Sequence, residues 1–150
     1  MLKSTKLLIK ELRGLLGRLF DFIPEHSAID WETSRAAMWA NTPIGGHFIA
    51  HSDLDDIELE DLLWIDDQKA GIDLNTRQFL QNFPANNVLL WGARGTGKSS
   101  LIHALLNRYH ESGLRLVEVN KSLLVALPEI VLRLRDEPYR FILFCDDLSF

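Results

Sequence analysis

One glycine-rich stretch has the residue types and spacing to do chemistry: Gly92-Ala93-Arg94-Gly95-Thr96-Gly97-Lys98-Ser99. It reads G-x-x-x-x-G-K-S, the pattern of a phosphate-binding loop. A triphosphate is a compact polyanion, and backbone N–H groups can wrap it only where side chains are out of the way. Gly92, Gly95 and Gly97 clear that space, and successive N–H groups then form a concave anion nest. Lys98 brings a positive charge to the outer phosphates. Ser99 offers a hydroxyl to Mg²⁺, a hard cation that takes oxygen ligands. Ala93, Arg94, Thr96 and Ser100 complete the expected contacts to the nucleotide.

A second signature lies at Phe141-Ile142-Leu143-Phe144-Cys145-Asp146-Asp147. The apolar run suits a buried strand, and two acids emerge at its carboxyl end, where open α/β sheets place their ligands. Asp146 is expected to hold Mg²⁺, and Asp147 to orient the attacking water, with Lys98 the other catalytic group. Cys145 reads as a small buried hydrophobe.

The elements that would position these groups follow from periodicity. Residues 87–91 form a short apolar run suited to a buried parallel strand leading into the loop. Residues 100–110 carry Leu101, Ile102, Leu105, Leu106 and Tyr109 at helical spacing. Gly113 stops that helix, and residues 114–119 alternate like a strand. Residues 121–135 read as helical, with Pro128 opening a second short helix from Glu129. Residues 66–83 predict another helix, with Ile72, Phe79, Leu80 and Phe83 turned to the body and Pro84 ending it. Upstream, Asp30 is a candidate N-cap for a helix running to Trp39, and Pro43, Gly45 and Gly46 mark a turn before a short extended piece, His47-Phe48-Ile49-Ala50.

Composition sets the limits. The chain has 150 residues, 47% hydrophobic and 25% charged, with a formal net charge of −5 and one cysteine. A chain this long can bury a real core. The lone cysteine rules out a disulfide framework and suits a reducing, cytoplasmic compartment. No apolar run has the length of a transmembrane segment. The five histidines show no ligand spacing with cysteines or carboxylates.

Residues 1–54 read as a helical N-terminal extension and 55–150 as the nucleotide-binding core. Residues 2–20 make an amphipathic helix with a leucine stripe and Lys3, Lys6, Lys10 and Arg13 on another face. That face either is solvated or meets an acidic partner, nucleic acid or membrane surface; an organelle presequence is a third reading. Residues 53–67 hold eight acids and no base, a solvated linker or a docking surface for a basic partner, with Leu59, Leu62, Leu63 and Ile65 as apolar anchors.

The loop and the acid pair together resemble the AAA+ superfamily of ATPases. The likeness is closer to one branch, a largely bacterial family of predicted ATP-binding proteins whose domain is labelled only as of unknown function. The stretches that carry it are Asp61-Leu62-Leu63-Trp64-Ile65-Asp66-Asp67-Gln68-Lys69, Asn75-Thr76-Arg77-Gln78-Phe79, Pro84-Ala85-Asn86-Asn87, the loop with its Arg94, Gly113-Leu114-Arg115-Leu116-Val117-Glu118-Val119 and residues 140–150. The resemblance implies an α/β P-loop NTPase core of three layers, ATP and Mg²⁺ as cofactors, Ile65 against the base, and relatives that oligomerise. Trp64 stands where AAA+ proteins usually place a glycine, and Asp147 where most place glutamate. Aspartate is one methylene shorter, so weak hydrolysis is expected.

AAA+ proteins also carry, downstream, a sensor strand lying between the loop's strand and the strand of the acid pair, an arginine that reaches a neighbour's nucleotide, and a helical lid. The resemblance therefore implies a truncated, incomplete core, with a gap in the sheet and apolar edges exposed. Three functions fit the sequence: a nucleotide-driven switch or remodelling ATPase acting on a protein or nucleic acid, a non-catalytic nucleotide-binding module, and a small-molecule phosphotransferase. The last lacks a candidate second-substrate pocket.

Overall fold

The computed structural model describes residues 29–42, 45–51, 54–93 and 95–146. The amphipathic helix expected over 2–20 lies outside them, as do Arg94 and Asp147.

Four strands form one mixed sheet: β1 (Ala36–Thr42), β2 (Gly45–Ala50), β3 (Leu114–Glu118) and β4 (Arg140–Phe144), in the order β2-β1-β3-β4. β1 and β2 pair antiparallel as a hairpin, with Trp39 opposite Phe48, whereas β3 lies parallel to both β1 and β4. The helices are α1 (Asp66–Leu80), α2 (Lys98–Tyr109) and α3 (Leu127–Leu134). The class is α/β, with helices on both faces of the sheet.

Alternation along the strands sends side chains to two cores. Ala36, Leu114 and Leu116 pack with Leu101, Ile102 and Leu105 of α2 and Ile72 of α1. Ala37, Trp39, Val117 and Val119 face the other way, onto Trp31 and onto Ile130 and Leu134 of α3. Trp31 meets Phe48 and Phe141 edge-on, with ring centroids 5.5 and 4.8 Å apart. Arg115 is buried on this second face, donating to the carbonyls of Trp31, His110 and Leu114 and stacking over Tyr139 at 4.0 Å. Its charge is offset by three carbonyl dipoles and a ring.

Four sequence readings are corrected. The helix expected from Asp30 to Trp39 is a turn followed by β1. Asp30 does cap, accepting from the Glu32 amide at 2.9 Å and the Thr33 hydroxyl at 2.9 Å, but the capped turn closes after three residues. β1 and β2 share their sheet with β3, so residues 36–42 and 45–50 of the expected helical extension are strand. Phe83 and Leu63 do not face the body; they are 60% and 68% exposed.

The fourth correction concerns residues 87–91, which join none of the four strands. Val88, Leu89 and Trp91 are exposed, and only Leu90 is packed against the first core. β4 is correspondingly an edge of the sheet among the described residues. A groove of about 560 Å³ runs beside that edge, lined by Phe79 of α1, Val131 and Leu134 of α3 and Phe141 and Leu143 of β4.

Candidate functional site

The glycine loop closes onto the N-terminus of α2. Gly92, Gly95 and Gly97 have φ of +145°, +80° and +80°, a region that side-chain-bearing residues enter only under strain. Gly97 is the residue at which α2 begins, and it is left-handed. The Thr96 hydroxyl donates to the Ala93 carbonyl at 2.8 Å, pinning the loop across its width. Lys98 folds back over it, its ammonium donating to the carbonyls of Gly92 at 3.1 Å and Ala93 at 2.9 Å. A full positive charge therefore sits at the mouth of the turn, beside the unbonded N–H groups of the first helical turn.

Ser99, in that first turn, donates its hydroxyl to Asp146 Oδ2 at 3.2 Å. The two residues are 47 positions apart. β4 brings Asp146 there by ending two residues earlier, at Phe144, beside the end of β3. A hydroxyl and a carboxylate at this distance are hard oxygen donors of the kind that Mg²⁺ accepts, with water or phosphate oxygens filling the remaining positions. Among the described residues no group of three or more His, Cys, Asp or Glu side chains gathers as a metal cage. Ser100 follows Ser99 in the same turn of α2, half-buried. Ile65 is half-buried at the start of α1, where its carbonyl accepts from the Lys69 amide at 2.9 Å.

The chain before α1 borders the loop. A Cβ on Gly97 would meet Leu62 Cδ2 at 3.8 Å. The Leu62 carbonyl in turn accepts from the Lys69 ammonium at 2.7 Å, and the same ammonium pairs with Asp66 at 2.9 Å. Residues 54–67 are thus tied down rather than a free linker. Leu59 is buried, Glu60 pairs with Arg108 of α2, and the Asp61 carboxylate accepts from the Glu58 amide at 2.8 Å. The hydrogen bond from Arg108 holds the Glu60 carboxyl below its ordinary range. The stem of the loop is fixed from α1 as well. The Asn75 side chain donates to the Asn86 carbonyl and accepts from the Asn86 amide, each at 2.9 Å.

Sequence reasoning missed a polar stripe on α2. Ser99, His103 and Asn107 fall at four-residue spacing, on one face of the helix. Asn107 donates to the carbonyls of Asp55 and Ile57. His103 sits between two acids, with Nε2 3.3 Å from Glu118 at the end of β3 and Nδ1 3.7 Å from Asp55. His51 Nδ1 lies 3.9 Å from the same Glu118 oxygen. The bond to Glu118 raises the His103 imidazole above its ordinary value against the effect of burial, and the reciprocal bond lowers the Glu118 carboxyl. The i, i+4 step from Ser99 was the available signal. Cys145 packs into the second core, and burial pushes its thiol up, as a small hydrophobe's would be.

No helix among the described residues is long and apolar enough to cross a membrane. No curated protein and no solved structure matches the chain. Residues 32–150 match the family described as "Protein of unknown function (DUF815)", and the chain belongs to that family.

Proposed function

We propose that the chain is an ATP-binding protein that hydrolyses ATP with Mg²⁺, an AAA+-type switch or remodeller acting on a protein or nucleic-acid partner. The observation that carries this reading is the Ser99–Asp146 contact at 3.2 Å. A glycine turn with a lysine is a frequent shape; a carboxylate delivered from beyond the end of β4 to the serine after that lysine adds the second oxygen donor that a metal-bound phosphate site calls for. Ser99 and Asp146 would hold the metal, which when bound neutralises charge on the phosphates. Lys98 places its ammonium on the outer phosphates, and the amides of the glycine turn bind the remaining oxygens. Asp147 follows Asp146 directly and is assigned to orient the attacking water; Ile65 is assigned to the base side.

Titration calorimetry with Mg²⁺-ATP, followed by phosphate release under saturating nucleotide, tests the reading. Heat of binding lost in Lys98→Ala supports it, and no heat from folded wild-type chain overturns it. The second reading, a nucleotide-binding module without turnover, is favoured by Asp147 standing one methylene shorter than glutamate. ATP-dependent thermal stabilisation with no phosphate release would select it.

A further inference from the structure

Four tryptophans divide sharply in this chain. Trp31 and Trp39 are buried in the second core, whereas Trp64 is 94% and Trp91 87% exposed. Both exposed residues stand close along the chain to residues of the glycine loop or to one that borders it. Trp91 adjoins Gly92 in sequence, and Trp64 stands two residues after Leu62, whose side chain borders Gly97.

Trp64 has a second peculiarity: its φ is +67°. A bulky side chain in the left-handed region is a genuine outlier. Such strain persists where the surroundings over-determine it, and it gathers at ligand sites. Here both sides of the residue are fixed. Lys69, largely buried, clamps the Leu62 carbonyl and Asp66, and α1 begins at Asp66. The ring itself gains no packing that would offset the strain. The fold therefore holds a large, flat, exposed aromatic residue in a strained backbone two positions from Leu62, whose side chain borders Gly97 of the glycine turn.

We propose that Trp64 is the stacking platform for the planar base of the nucleoside triphosphate whose phosphates the glycine loop holds; this rests on the nucleotide reading above. Stacking of a base on an exposed aromatic ring tolerates any base, so the platform adds affinity for nucleotides over bare polyphosphate rather than choosing adenine over guanine. Trp91 is the weaker candidate, because its backbone carries no such distortion.

The experiment compares Mg²⁺-ATP with Mg²⁺-tripolyphosphate by titration calorimetry on the full 150-residue chain, as wild type, W64A, W64F and W91A. Wild type is expected to bind ATP more tightly than tripolyphosphate. W64A should weaken ATP by about 5- to 150-fold and leave tripolyphosphate unchanged, with W64F restoring most of the loss. Equal affinity of wild type for the two ligands overturns the proposal, as does a W64A that binds ATP like wild type. Equal loss of both ligands in W64A means that the ring supports the loop rather than the base, and also overturns it. If folded wild type binds neither ligand, the nucleotide reading fails and this one fails with it.

Discussion

His103 Nε2 lies 3.3 Å from Glu118 Oε1, which ties the middle of α2 to the carboxyl end of β3 one helical turn beyond Ser99. The pair has a definite pH signature. The His103 value is raised, so its contribution is complete below the ordinary imidazole value of 6.5 and is lost as pH rises through the elevated one. The Glu118 value is lowered, so its contribution is complete above 4.5 and is lost as pH falls through the depressed one. Both act fully between those two values. The urea midpoint should therefore plateau there and fall on either side, and His103→Gln should flatten the alkaline fall. An unchanged alkaline limb in that variant would show that the pair does not titrate with folding.

On the nucleotide reading, Lys98 and Asp146 act on different parts of the ligand and should separate in binding experiments. Lys98→Ala removes charge-assisted hydrogen bonds worth about 1.5–3 kcal/mol, so ATP affinity should fall roughly 10- to 150-fold with or without metal. Asp146→Asn keeps an acceptor for the Ser99 hydroxyl but loses the charge. It should weaken binding of Mg²⁺-ATP by about 10- to 100-fold while metal-free ATP binds as before. Titrations with and without Mg²⁺ check both.

Gly46 tests the packing of the hairpin. A Cβ placed on it would sit 1.9 Å from Trp39 Cζ2, inside the indole ring. Gly46→Ala forces the ring to move and should destabilise the fold by about 1–3 kcal/mol, read as a lower urea midpoint with an unchanged slope. Gly71, which has open space around its Cβ position, should accept alanine with a gain of helix propensity of about 1 kcal/mol.

The edge at β4 should make the chain self-associate. Val131 is 53% exposed and lines the groove beside that edge, with Leu132 60% exposed next to it. Unpaired edges of this kind template pairing with another chain. Sedimentation velocity should show mass rising with concentration, and Val131→Lys should suppress it while thermal stability stays within about 0.5 kcal/mol.

How much of this was legible beforehand depended on whether the signal was local. α2, β3 and β4, and the helix opened by Pro128, were readable because helical spacing, a left-handed stop at Gly113 and short apolar runs are written in neighbouring residues. Residues 31–39 were not. Ala36, Ala37 and Trp39 are all buried, Ala36 on one core and Ala37 and Trp39 on the other. A strand covered on both sides loses alternation and then reads equally well as a helix. Residues 87–91 have the composition of a buried strand, but pairing is a long-range property, and no described strand takes them up. The site was half legible. The loop announces itself, and the acids after β4 follow from topology. His103 and Glu118 meet only because α2 packs across β3, a fact no spacing of histidines discloses.

The stem of the glycine loop, residues 87–91, has a mechanical consequence. On its far side the loop is welded to α2, whose Leu101, Leu105 and Leu106 are buried; on its near side it is held by Leu90 and by the Asn75–Asn86 couple. Backbone amides at 88–91 should exchange with deuterium far faster than those of α2. A cradle anchored firmly on one side and lightly on the other tightens when the lighter side is gripped. On the nucleotide reading, phosphate binding and immobilisation of that stem should by linkage favour one another by the same factor.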